Sequence, residues 1–306
     1  QAPTHTTLLR FADRVLLTGY DVRVNQRPVP EGTPGQPIIV RPGESLDYTL
    51  YWRALGPIER DYRAQIQIVD VGGKGITGES HVAGAPFSVP TSWDRYYTRS
   101  DDYRIIVPEE SAPELYAVQV RVVDPATGAL LSVSDSAGRP FDGFVSLRPI
   151  RVVTASSYSP QHSVMVSLGD FADVVGYDLA PTQTGSDPGT QLTVTFYYRS
   201  RQPTPIDFTR FLHLESSSAR VVAQQDGYPR HAANPTHAWV SGETIADAVI
   251  LSIPAGAQPG EYRLVMGFYD QRADLKRVPL RNRFGKALPG DQLELTQMTI
   301  RSLARD

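Results

Sequence analysis

Two stretches lying 146 positions apart follow one rule, and that repetition constrains the chain more than any other feature. In 41–53 a Pro42-Gly43 turn is followed by Leu46, Tyr48, Leu50 and Trp52, alternating with Ser45, Asp47, Thr49, Tyr51 and Arg53. In 187–199 Pro188-Gly189 precedes Leu192, Val194, Phe196 and Tyr198, alternating with Gln191, Thr193, Thr195, Tyr197 and Arg199. A period of two marks a strand with one buried and one wet face.

The copy extends well beyond this strand. Positions 41–124 align with 187–270 without a gap and share fifteen identities: Pro42, Gly43, Leu46, Thr49, Tyr51, Arg53, Pro57, Asp61, Trp93, Thr98, Asp101, Pro108, Pro113, Tyr116 and Asp124. Upstream, Gly19-Tyr20-Asp21-Val22 matches Gly176-Tyr177-Asp178-Leu179 at an offset of 157, so the first copy carries 11 additional residues in a long loop over 24–35. Repetition at this scale reads as a duplicated domain. Strand-like segments recur at short spacing between Gly and Pro turns, and no stretch sustains a helical apolar period. The expectation is an all-β chain of two tandem antiparallel β-sandwich domains, immunoglobulin-like or carbohydrate-binding-module-like. The first spans 1–153, a small polar linker 154–165, and the second 166–306. Residues 1–10 read as a polar lead. Leu46, Tyr48, Leu50, Trp52, Ile66 and Ile68, with Tyr116, Val118, Val120 and Val122 opposite, are the predicted core of the first domain. Leu192, Val194, Phe196, Tyr198, Leu212 and Leu214, facing Tyr262, Leu264, Met266 and Phe268, are that of the second.

Composition narrows the function classes. The 306 residues suffice for two full cores. A net charge of −3 argues against a nucleic-acid or anionic-lipid footprint. Cysteine is absent, which removes disulfides and thiolate chemistry. No apolar run approaches the roughly 20 residues of a membrane helix. Lys74, Lys276 and Lys286 are the only lysines.

Chemical motifs are few. Gly73-Lys74-Gly75-Ile76-Thr77-Gly78 has the letters of a dinucleotide loop, but a strand follows it where a helix is required, so it reads as a hairpin turn. His213, His231 and His237 could line an open zinc site if they converged. The first copy has Gln67, Ala85 and Thr91 at those positions, and no carboxylate spacing supports a metal site. No nucleophile elbow, zincin or phosphate loop is present, so neither a catalytic residue nor a cofactor is predicted. Trp93 and Trp239 occupy equivalent positions and read as loop staples, or, if exposed, as sugar-stacking platforms. Tyr51 and Tyr197 fall on the outward parity, where Arg53 and Arg199 could pack on their rings. His213, Asp226, Tyr228, His231, His237 and Trp239 are the candidate ligand or partner surface.

The second domain resembles the extracytoplasmic C-terminal module of bacterial multi-spanning glycosyltransferases of the protein-mannosyltransferase-like group. Gly176-Tyr177-Asp178-Leu179, Asp187-Pro188-Gly189, Phe211-Leu212-His213-Leu214, Val222-Ala223-Gln224-Gln225-Asp226-Gly227, Trp239, Gly242-Glu243, Asp247, Pro259-Gly260-Glu261-Tyr262-Arg263-Leu264 and Gly267-Phe268-Tyr269-Asp270 carry the likeness. The resemblance implies a β-sandwich outside the cytoplasmic membrane, without the transferase activity. The first domain reads as a drifted copy, with Tyr96-Tyr97 in place of Gly242-Glu243. With Gln1 first in the numbering, the reading is an exported chain after signal-peptide removal, or a trimmed piece. The functional expectation is a non-catalytic scaffold or interaction subunit at the cell envelope, binding a protein partner or self-assembling through loops and sheet edges. A carbohydrate-binding accessory role for the 228–239 loop ranks second, and a glycan hydrolase third.

Overall fold

Period-two segments become strands throughout. The computed structural model describes residues 2–32, 35–155, 157–180 and 185–301, with only the backbone described at 185 and 186. These residues form antiparallel sheets and four short 3-10 turns, with no α-helix. No helix among them is long and apolar enough to cross a membrane. The chain divides into two compact units, 1–154 and 155–306.

Each unit holds two sheets, and the order of the main strands is the same in both. In the first, His5–Phe11, Val15–Val24, Ser45–Ala54 and Arg99–Ile106 lie side by side, with Val133–Ser134 added beside His5–Phe11. The other sheet runs Ile38–Val40, Val145–Val152, Leu115–Val123, Arg63–Val69, Gly75–Val82. In the second unit the sheets run Leu280–Asn282, His162–Leu168, Ala172–Ala180, Gln191–Ser200, Thr244–Ser252 and Gly185–Ser186, Leu293–Ile300, Gly260–Asp270, Thr209–Ser216, Val221–Gly227. One parallel pairing recurs, Ile38–Val40 with Val145–Val152 and Gly185–Ser186 with Leu293–Ile300. In each unit both sheets feed a single apolar core. Leu46, Tyr48, Leu50 and Trp52 share one cluster with Ile66, Ile68, Tyr116, Val118, Val120 and Val122. Leu192, Val194, Phe196 and Tyr198 share the other with Leu212, Leu214, Tyr262, Leu264, Met266 and Phe268. The alternating residues thus fill the predicted positions, each large side chain contributing about 1.5–3 kcal/mol on burial.

Three boundaries differ from expectation. Residues 5–11, taken as part of a polar lead, form a strand, because a bulge between Thr6 and Leu9, with Leu8 at φ 55°, breaks the alternation that would have revealed it. The same bulge recurs between Ser163 and Val166, so strand His162–Leu168 begins inside the expected linker. The expected loop over 24–35 opens with a tight reversal, since Asn25 and Gln26 have φ of 47° and 67° and Arg27–Pro28 pairs back onto Val15–Val24.

The repeated Gly-Tyr-Asp is a clasp for these first strands. A Cβ on Gly19 would lie 2.2 Å from the His5 carbonyl oxygen and 2.5 Å from Pro3, and one on Gly176 would lie 2.4 Å from Pro160. Only glycine admits that approach. Tyr20 stacks on His5 and Tyr177 on His162, each at 4.7 Å between ring centroids. Asp21 accepts from Thr4 N–H (2.7 Å) and Tyr51 O–H (2.7 Å), and Asp178 accepts from Gln161 N–H (2.6 Å) and Tyr197 O–H (2.6 Å). Tyr51 and Tyr197 are therefore buried despite their outward parity, held by an aspartate, while Arg53 and Arg199 are exposed.

His5 makes this clasp acid-sensitive in the first unit. Burial, then the Arg148 charge, hold its pKa below 6.5, against smaller opposing effects from Glu31 and Asp21. A lowered folded pKa means that the unfolded chain binds more protons below about pH 6.5, so stability falls as pH drops through that value. The slope for one proton is at most about 1.4 kcal/mol per pH unit. Urea melts from pH 7.5 to 5 will show this slope in the first unit, and His5→Phe will flatten it. An unchanged slope in that variant would assign the effect elsewhere.

Candidate functional site

The predicted surface residues of the second unit separate into three places. His213 Nε2 lies 3.1 Å from Asp226 Oδ1, and Tyr269 O–H donates to Asp226 Oδ2 (3.2 Å). All three stand on neighbouring strands of one sheet. His213 also packs on Phe211, and the Arg277 guanidinium lies 4.7 Å from the same ring. Burial, followed by the Asp226 charge and hydrogen bond, pushes the Tyr269 phenol above its ordinary value. This group is a packed polar cluster across a sheet face.

His237 belongs to a second place. Its Nδ1 is 2.7 Å from Asp207 Oδ1, which also accepts from the His237 N–H (3.2 Å). Burial alone would raise the Asp207 pKa, but the His237 bonds and charge, aided by Arg272, outweigh it and hold the carboxyl low. The first unit shows what this aspartate is for, since Asp61 accepts from the Thr91 N–H (2.9 Å) at the equivalent position. The carboxylate anchors a loop in both copies, and the imidazole is an addition in one.

Trp239 is the third. Its ring is buried in the core against Tyr198 (5.3 Å) and Phe171 (6.0 Å), and its indole N–H donates to the Asn234 carbonyl (3.0 Å). Trp93 is likewise buried and donates to the Ser88 carbonyl (2.8 Å). Both tryptophans staple their loops, and neither presents a face to a sugar. Tyr228 is half-buried at the start of the loop, and His231 is exposed at φ 54°. Among the described residues no three His, Asp or Glu side chains converge to hold a metal ion.

Three more of the shared polar identities are structural. Tyr116 O–H bonds the Ala112 carbonyl (3.1 Å) and Tyr262 O–H the Gln258 carbonyl (2.7 Å), each four residues upstream. Asp124 and Asp270 cap the turns that follow them through Ala126 N–H (2.9 Å) and Arg272 N–H (2.8 Å). Asp247 is buried and pairs with Arg210 (3.1 Å), whereas its counterpart Asp101 is held by His81 (2.8 Å) and Tyr103 O–H (2.6 Å).

The feature that sequence reading passed over lies in the first unit. Between Ala83 and Arg99 the chain exposes Phe87 (96%), Tyr96 (75%) and Tyr97 (61%). Arg95 lies over Tyr96 at 5.2 Å, and Arg99 over Tyr97 at 5.5 Å. A cleft of about 550 Å³ elsewhere on this unit is lined by charged pairs such as Arg104–Asp47. The one beside the aromatic segment, about 470 Å³, is walled by Pro57, Ile58, Trp93, Asp94, Arg95 and Tyr96. In the second unit the equivalents of Phe87, Tyr96 and Tyr97 are Ala233, which is buried, and the non-aromatic Gly242 and Glu243. The signal was available as Tyr96-Tyr97 replacing Gly-Glu, but parity cannot show that a loop ring points to water.

The open sheet edges are partly occupied. On Arg99–Ile106 the Arg104 N–H donates to Glu79 Oε2 (2.6 Å), and on Thr244–Ser252 the Arg230 guanidinium donates to the Ala246 carbonyl (3.3 Å). Side chains placed there oppose pairing with a further strand. No protein-family model matches the chain, and no curated protein matches it either.

Proposed function

We propose that the chain is a non-catalytic, exported interaction subunit of the cell envelope, built of two tandem immunoglobulin-like β-sandwiches, and that it binds a protein partner through the 83–99 segment of its first domain. The observation that carries this is the exposed Phe87, Tyr96 and Tyr97 with Arg95 and Arg99. Aromatic residues and arginine are the types enriched at the centres of protein interfaces. Several features support the finer fold type: two sheets on one core, a parallel pairing of a short strand with the last long strand in each unit, and a tyrosine bonded four residues back at the start of Leu115–Val123 and of Gly260–Asp270. Export rests on the resemblance of the second domain to extracytoplasmic modules. A non-catalytic role is supported by the paired aspartates, whose partners are tyrosine O–H groups and loop and turn N–H groups in both copies, with a buried arginine on Asp247 and His81 on Asp101. The carbohydrate reading of the 228–239 loop loses its platform, because the Trp239 ring lies in the core.

The test compares the wild-type chain with the triple variant F87S/Y96S/Y97S as bait in native envelope extract, with native mass measurement of the cross-linked product. A single stoichiometric protein on the wild type and not on the variant is expected. Truncating one interface anchor costs about 2 kcal/mol, about thirtyfold in Kd, so the triple change abolishes capture. Equal capture by both chains, with unchanged melts, would refute the assignment of this surface.

A further inference from the structure

The overall charge of −3 conceals a local excess. Segment 271–292, which links strands Gly260–Asp270 and Leu293–Ile300, carries Arg272, Lys276, Arg277, Arg281, Arg283 and Lys286 against Asp274 and Asp291, a net +4. Two of the three lysines of the chain are here. The equivalent link in the first unit, 125–144, holds Arg139 against Asp135 and Asp142, a net −1. The two copies therefore share this connection as structure and differ in its charge.

The tip of the segment is a built turn. Asn282 Oδ1 accepts from Phe284 N–H (3.0 Å) and Lys286 N–H (3.1 Å), Gly285 N–H donates to the Asn282 carbonyl (2.8 Å), and Asn282 N–H donates to the Lys286 carbonyl (2.9 Å). Strand Leu280–Asn282 pairs with His162–Leu168, so the turn is fixed to the sheet. Arg281, Arg283 and Lys286 are exposed, and among the described residues none of them forms an ion pair, although the Arg281 guanidinium also donates to the Gly285 carbonyl (3.1 Å). Phe284 stands 79% exposed, with the Arg283 guanidinium 4.7 Å from its ring. Arg277 is different: it lies over Phe211 and bonds the Gly290 carbonyl (2.6 Å), a packing role.

We propose that this turn docks the second unit onto an anionic phospholipid bilayer, with the Phe284 ring in the headgroup region and Arg281, Arg283 and Lys286 on lipid phosphates. An aromatic ring among cations on a rigid tip matches both layers of such a surface, apolar below and anionic above. A soluble polyanion would engage the cations but would leave the ring in water, and this favours the bilayer. The surface is separate from the aromatic segment of the first unit, and either can fail alone.

The experiment is sedimentation of the full chain with phosphatidylcholine vesicles, with and without phosphatidylglycerol, at several salt concentrations. The chain is expected to pellet only with phosphatidylglycerol, and less as salt rises. Removing three basic side chains, R281S/R283S/K286S, lowers partitioning by about a hundredfold, near fivefold for each. In a second variant, Phe284→Trp, the added indole emission shifts to the blue and is quenched by brominated lipid. All four side chains are exposed, so the melts stay unchanged. Three results would overturn the proposal: no dependence on phosphatidylglycerol, undiminished binding by the triple variant, or an unshifted Phe284→Trp emission while dextran sulfate binds the chain as well as vesicles do.

Discussion

Asp247→Ala will destabilise the second unit by about 3–5 kcal/mol, the cost of stranding a buried cation. The Arg210 and Asp247 side chains are 5% and 1% exposed, with Arg210 Nε 3.1 Å from Asp247 Oδ2. The carboxylate also accepts the Arg230 N–H (2.7 Å), and Arg210 reaches the Gln225 carbonyl (2.6 Å). A guanidinium cannot shed its proton, so Arg210 left without Asp247 stays charged inside the sheet. The first unit is the internal control. Asp101→Ala there removes an acceptor from Tyr103 and His81 but strands no guanidinium. Its cost should be nearer the 1–3 kcal/mol of unsatisfied buried groups. The double variant R210L/D247L should regain most of the loss, because apolar replacement of a buried pair is often neutral. Trp239 is the one tryptophan of the second unit, with Trp52 and Trp93 in the first, so urea melts followed by fluorescence can be assigned once Trp52 and Trp93 are replaced by Phe. A cost below that of Asp101→Ala would remove the argument for the pair.

These aspartates mark where sequence reading stopped. Strand parity was legible because it repeats every second residue, and Leu46 to Trp52 sit in the core as their alternation required. Duplication was legible for the same reason. The bulge at Leu8 hid a strand, since one inserted residue reverses parity. Asp21, Asp61 and Asp101 look like solvated turn residues in a list of letters, yet each is committed to a partner far along the chain: Tyr51, Thr91 and His81. Such partners are set by strand register, which local pattern does not carry. Of the candidate surface, His213 and Asp226 were both named, but their pairing across adjacent strands comes from the register of the sheet. The burial of Trp239 was one of two readings left open. Whole-chain charge hides the basic turn, because averaging over 306 residues cancels it against acidic residues elsewhere.

Base will unfold this protein between about pH 10 and pH 12, driven by its buried phenols. Burial, then a hydrogen bond to Asp21, pushes Tyr51 up to about 12, and burial with Asp178 does the same for Tyr197. Tyr48, Tyr103 and Tyr198 are raised further, mainly by burial. The unfolded phenol ionises near pH 10. A raised folded pKa means that the native chain holds protons the unfolded chain has lost, so stability is fully present below pH 10 and drains away as pH rises. Two pKa units are worth about 2.7 kcal/mol for one group, so by pH 12 Tyr51 removes up to about that much from the first unit and Tyr197 as much from the second. With Tyr48 and Tyr103 added in the first unit and Tyr198 in the second, each loses about 5 kcal/mol or more, the whole stability of a weak domain, which lies at about 5–15 kcal/mol. Tyrosinate absorbance from the buried set should therefore appear together with loss of the far-ultraviolet strand signal. Tyr51→Phe separates the terms. At neutral pH it lacks a charge-assisted bond and is less stable by about 1.5–3 kcal/mol, but it has no proton to lose. Its deficit should shrink above pH 10 and close near pH 12. Full tyrosinate absorbance at pH 11 with the strand signal intact would show that these phenols ionise in place, and the linkage argument would fall with that result.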